Sequence, residues 1–141
     1  MRYKVVLFCC LIFSLVSCEP SVKQVISGYF NVDIRGIDYT VITHESQWIA
    51  FNGNGHRYIV LSLRMASKKS IEELKTQMIN CNAKHLPISE EGLLHYSEIK
   101  QYFKDSSGLY VYKSNEHGSR DCGILLFDEA KMELIVLIDV S

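Results

Sequence analysis

The chain lacks the arrangements by which common enzymes are recognised. It has no His-x-x-x-His pair and no glutamate-flanked histidine pair, so a metal site built from ligands one helical turn apart is missing. No Gly-x-Ser-x-Gly elbow presents a serine nucleophile. Gly53 and Gly55 lie between two strand-like runs rather than ahead of a helix, so they form no phosphate-cradling loop. Repeats and low-complexity tracts are absent. The basic residues reach only a Lys68-Lys69 doublet, not the polybasic stretch that anionic lipid attracts. The apolar run Val5–Val16 falls short of the about 20 residues a helix needs to span a bilayer.

That run is what the N-terminus does have. Arg2 and Lys4 precede it, and Leu15-Val16-Ser17-Cys18 follows, then Glu19-Pro20. Positive start, short apolar core and small residue before a cleavage point make a secretory signal over residues 1–17. Leu-Val-Ser-Cys resembles the bacterial lipobox. The resemblance implies that Cys18 is diacylated on its thiol, becomes the new N-terminus and ties the protein to the lipid bilayer. Glu19 is not the aspartate that retains many such lipoproteins in the inner membrane, which implies the outer membrane, facing the periplasm. The alternative is ordinary secretion with cleavage near Cys18 and no lipid; Leu15 stands where that pattern wants a small residue.

Removing residues 1–17 takes Arg2 and Lys4 from the 15 basic residues and none of the 16 acidic ones, leaving 13 against 16, a net charge of −3. An acidic domain without a basic stripe is a poor partner for nucleic acid. Membrane association is therefore expected from the anchor alone. Of five cysteines, Cys9 and Cys10 leave with the signal and Cys18 takes the lipid. Cys81 and Cys122 remain as an even pair in an oxidising compartment, where a disulfide between them is expected unless both are buried reduced thiols.

The mature chain suits one small domain. We expect residues 18–27 to hold the lipidated cysteine and tether and 28–141 the α+β domain. Val22, Val25, Ile26, Tyr29 and Phe30 recur at helical spacing from about Ser21. Ile37–His44 reads as a strand, Trp48–Phe51 as a short apolar run, and Asn52-Gly53-Asn54-Gly55 as a hairpin turn. Arg57–Arg64 alternates as a strand. Ser70-Ile71-Glu72-Glu73 predicts a helix start, and Ile71, Leu74, Met78 and Cys81 form one helical face. Residues 87–97 read as loop, and Ile99, Tyr102 and Phe103 as a short helix. Leu109–Lys113, Gly123–Phe127 and Glu133–Val140 are strands, the last apolar enough to be central. The expected fold is an antiparallel sheet of about five strands with one main amphipathic helix packed on one face.

Gly28-Tyr29-Phe30-Asn31-Val32-Asp33-Ile34, Thr43-His44 and Phe51-Asn52-Gly53-Asn54-Gly55 together resemble a family of small uncharacterised bacterial proteins with a Tyr-Phe-Gly-Ile-Asp stretch followed by Thr-His-Gly-Gly-Phe-His-Gly-Asp-Gly. Leu86-Pro87-Ile88-Ser89-Glu90, Gly108–Tyr112 and Ile124–Asp128 are similar to that family's later segments. The resemblance implies a small bacterial α+β domain and no particular chemistry. At its sharpest motif this chain has Asn52 for histidine, Asn54 for aspartate, and Trp48-Ile49-Ala50 in place of the glycines.

Two functional classes fit. One is an envelope lipoprotein that holds or blocks a protein partner, as an immunity-type module would, with Trp48, His44 and His56 as candidate binding residues. The other is a small hydrolase or metal-dependent enzyme in which His44, His56 and Glu45 meet across the first hairpin. Cys122 with His117 is a further nucleophile–base combination, weighed against a structural cysteine. Neither a metal ligand set nor a cofactor motif is specified.

Overall fold

The computed structural model describes residues 20–48, 55–114 and 121–140. The signal segment, Cys18, the turn residues Asn52-Gly53-Asn54 and His117 lie outside the described residues.

The first element, α1, is Val22–Phe30. Ser21 and Gln24 cap it reciprocally: the Gln24 N–H donates to Ser21 Oγ at 3.3 Å, and the Ser21 N–H to Gln24 Oε1 at 2.8 Å. Asn31, at φ 59°, ends it in the left-handed conformation. Val22, Val25, Ile26 and Phe30 are buried. Residues 22–27, expected within the tether, thus lie in a helix whose apolar stripe is buried in the core.

Six strands follow: β1 Thr40–Trp48, β2 Gly55–Ser62, β3 Lys84–His85, β4 Gly108–Ser114, β5 Cys122–Asp128 and β6 Glu133–Val140. Between β2 and β3 runs α2, Lys68–Asn80. Its cap is Ser67, whose Oγ accepts the Ser70 N–H at 3.1 Å, so the helix starts before the expected Ser70 box. The strands form one antiparallel sheet in the order β1-β2-β6-β5-β4-β3. The strand beyond the expected five is β3, two residues paired with Leu109 and Tyr110, too short to show an alternation. Apolar β6 sits between β2 and β5, as its composition predicts.

Strand alternation divides the core in two. On the first face α1 and α2 lay Ile26, Phe30, Ile71, Leu74 and Met78 over Ile59, Leu61, Leu125, Phe127, Leu134 and Val136. Both helices, not one, seal this face. Gly123 lets them close: a Cβ there would lie 2.3 Å from Tyr29 Cε1, so only glycine admits the Tyr29 ring against β5. On the second face Val60, Ile124, Leu126, Ile135 and Leu137 are covered by a strap that the sequence reads mostly as loop. It brings Leu86, Ile88, Leu93, Tyr96, Ile99 and Tyr102 through two 3-10 segments, Glu91–Leu93 and Ser97–Phe103.

The two faces also decide the cysteines. Cys81 caps α2, packs against the helix-side core and lies 3.7 Å from the Asn31 carbonyl. Cys122 points from β5 into the strap side. Both are free thiols. The expected disulfide is therefore not made, because the sheet lies between them.

Candidate functional site

β1 lies at an edge of the sheet, and among the described residues only β2 pairs with it. Its described side chains are exposed or half-buried throughout, Val41 at 49% and Ile42 at 55%. The register shifts between Val41 and Thr43, leaving Ile42 as the extra residue of a bulge. From Thr43 to Trp48 the pairing is regular. The opposite edge differs: β3 has only two residues.

The register fixes which residues share a face. His44 pairs with Ile59 and Ser46 with Arg57, on the helix side. Glu45 pairs with Tyr58 and Gln47 with His56, on the strap side. His44 and His56 therefore project from opposite faces and do not converge. The enzyme reading needed them together, and alternation along two regularly paired strands keeps them apart. Glu45 shares a face with His56, but the nearest acidic partner of His56 is Glu98 of the strap, with Nε2 to Oε1 at 3.2 Å. Trp48 ends β1 opposite Gly55.

One row of the strap face gathers polar side chains across five strands: Gln47, His56, Asp139, Cys122 and Ser114 are successive pairing partners. Tyr96 drops onto this row from the strap. Its hydroxyl donates to Asp139 Oδ2 at 2.5 Å and lies 3.4 Å from Cys122 Sγ. Burial, then the bond to Asp139, pushes the Tyr96 hydroxyl far above its ordinary range. Burial likewise raises the Cys122 thiol. A protonated thiol held by a phenol is a poor nucleophile. His56 stands two strands from Cys122, with β6 between, so these two form no nucleophile–base dyad. The arrangement pins the strap to the sheet.

Among the described residues no group of three or more His, Cys, Asp or Glu side chains is placed to hold a metal ion. A shallow depression of about 500 Å³ runs along α1 beside Lys23, Ser27, Asp33 and Arg35. Another of about 550 Å³ lies on α2 beside Lys69, Glu72, Glu73 and Thr76. Neither holds a histidine or cysteine. In the first, Asp33 accepts three contacts from the Arg35 guanidinium, Nε to both oxygens and Nη2 to Oδ2, and one from its backbone N–H, which hold its carboxyl down at about 2.

Sequence reasoning missed Tyr96, Glu98 and Asp139. Asp139 carried a faint signal as the one acid near the end of an otherwise apolar strand. Tyr96 and Glu98 sit in a segment without periodicity, where nothing marks their partners. No protein-family model, curated protein sequence or solved structure matches the chain.

Proposed function

We propose that this protein is a lipid-anchored envelope lipoprotein whose domain binds a protein partner along β1. The difference between the two sheet edges carries the reading. Folded proteins blunt exposed edges, because a free row of backbone donors and acceptors recruits other chains. Here the outermost strand of one edge has only two residues, Lys84–His85, paired with Leu109 and Tyr110 of β4, while at the other edge β1 runs nine residues, with a bulge only at its start. An unprotected run from Thr43 to Trp48 suits an extended partner segment that adds a strand, with backbone bonds for affinity and flanking side chains such as His44, Glu45 and Gln47 for selectivity. The lipobox at Cys18 supplies the anchor, and the acidic balance of the mature chain directs it away from nucleic acid. An immunity-type role, holding an exported toxin inactive, is one form of this reading.

The test is photo-crosslinking in intact cells. A crosslinking amino acid placed at Glu45 should give a discrete protein adduct, whereas one at His85 should give none. Equal labelling from both edges, or none from Thr43, Glu45 or Gln47, would refute the β1 reading.

A further inference from the structure

The turn after β2 and the first residues of α2 carry Arg64, Met65, Lys68 and Lys69, all exposed, Met65 at 76%. Among the described residues none of the three basic side chains is ion-paired. An outward-pointing methionine between cations needs a reason, and the topology supplies one.

This turn sits at the end of the sheet where β1 begins, since Ser62 pairs with Thr40. The start of α1 reaches the same end: Lys23 Nζ lies 5.8 Å from the ring centroid of Tyr39, the residue before β1. Ser70 Oγ donates to the Gly36 carbonyl at 3.3 Å, joining the first turn of α2 to the loop that leads into β1. The α1 cap, Ser21, follows Cys18 by three residues, a reach of about 10 Å when extended. A lipid on Cys18 thus holds this end of the domain close to the bilayer, with Trp48, Gly55 and Ser114 at the other end of the strands.

We propose that the Arg64–Lys69 turn is a second membrane contact, docking on anionic phospholipid headgroups. Met65 enters the interface, where its flexible thioether packs against uneven apolar surroundings. Arg64, Lys68 and Lys69 meet the phosphates, each strengthening attachment by roughly fivefold at an anionic surface. Asp38, Asp128, Glu129 and Glu133 share this end of the domain, Glu129 being paired with Lys75, and Glu72 and Glu73 follow one turn along α2, so the basic surface is confined to residues 64–69. The doublet visible in the sequence becomes a cationic surface because the fold adds Arg64 and sets Lys23 at the same end. This inference rests on the anchor at Cys18. It adds an orientation, with the strand ends at Trp48 and Gly55 turned away from the membrane.

The experiment uses the full mature protein, purified from membranes and reconstituted in vesicles containing brominated phospholipids. Trp48 is the only tryptophan, so the Trp48→Phe/Met65→Trp variant reports the turn alone. Its emission should fall by roughly half in phosphatidylglycerol vesicles, as expected of a side chain about 5–10 Å into the headgroup boundary. The fall should be smaller in pure phosphatidylcholine, and smaller again with Arg64→Glu, Lys68→Glu and Lys69→Glu. The wild-type protein, with its tryptophan at the far end of β1, should stay bright. Unquenched emission from the Met65→Trp variant, with lipid on Cys18 by mass spectrometry, would overturn the docking and leave the anchor standing. An unmodified Cys18 would overturn both.

Discussion

The two faces of the sheet are sealed by different chemistry. On the helix face the contact is made by aliphatic and aromatic hydrocarbon from two regular helices, Ile26, Phe30, Leu74 and Met78 among them, all at 0% exposure. On the strap face the covering segment has no long helix to present a continuous stripe. It relies on tyrosines whose hydroxyls are tied down one by one, Tyr96 to Asp139 and Tyr110, from the sheet, to Ser89 of the strap at 3.1 Å, with Tyr102 buried near Asp128. A helical layer is held by area and shape. An irregular layer buries more polar groups, and each must find its partner.

The sharpest way to break the comparison is on the helix face. Leu74→Asp puts a carboxylate where Leu74 is fully buried against the sheet. No cation can follow it there, and the cost should be about 4 kcal/mol or more, enough to unfold a small domain. Circular dichroism should show loss of the cooperative melt. An unchanged melt would mean that α2 is peripheral to stability.

On the strap face the corresponding change is Tyr96→Phe, which keeps the ring and removes the hydroxyl. Asp139 loses its donor and Cys122 its partner, at a cost of about 1–3 kcal/mol. The same variant should alter behaviour in alkali. Burial, first of all, raises Tyr96, Tyr102 and Tyr110 above the ordinary tyrosine value of 10.0. The folded state then holds protons that the unfolded state releases, so their contribution is complete below about pH 10 and is lost as pH climbs above it. On the helix face Tyr29, pushed up to about 12 by burial, adds to the same loss. Denaturant midpoints at about pH 8 and about pH 11 should therefore differ more for the wild type than for Tyr96→Phe. Identical alkaline slopes would mean that Tyr96 does not hold the strap.

The contrast also explains what could be read from the chain. Ile71, Leu74 and Met78 announce α2 because a helix on a sheet must repeat its apolar face every three or four residues. β6 announces itself because a strand covered on both faces has no room for alternation. The strap resisted because its buried residues, Leu86, Ile88, Leu93, Tyr96 and Ile99, follow a path with no single period. Without it, one face of the sheet looked open. The expected disulfide failed for the same reason: placing Cys81 inward said nothing about which face Cys122 would take. His44 and His56 could be paired on paper because both flank the first hairpin. Only the register, Ile59 opposite His44 and Gln47 opposite His56, shows that they point apart. The unequal edges were legible only after β3, too short for any pattern, had been placed.

The finest distinction concerns how the strap is held at its end. Tyr96 and Glu98 reach the same row of the sheet, the first by a hydrogen bond from a buried ring and the second by a contact of Glu98 Oε1 with His56 Nε2, an ion pair only when the imidazole is protonated, in which both side chains keep about a quarter of their exposure, 28% and 26%. Water and salt reach such a pair, so Glu98→Gln should cost only about 0.5 kcal/mol, near the middle of the range for accessible ion pairs. That cost should shrink further in high salt, whereas the cost of Tyr96→Phe should not. Combining the two variants asks whether they act as one latch. His56 stacks near Tyr96, with ring centroids 6.2 Å apart, so the two contacts share a neighbour. If the strap end moves as a unit, the double variant should lose less stability than the single losses predict together, because the first break already frees the segment that the second contact held. Additive losses would instead mean that the hydrogen bond and the ion pair pin two independent points of the strap, and the row from Gln47 to Ser114 would then be a set of separate contacts rather than one fastening.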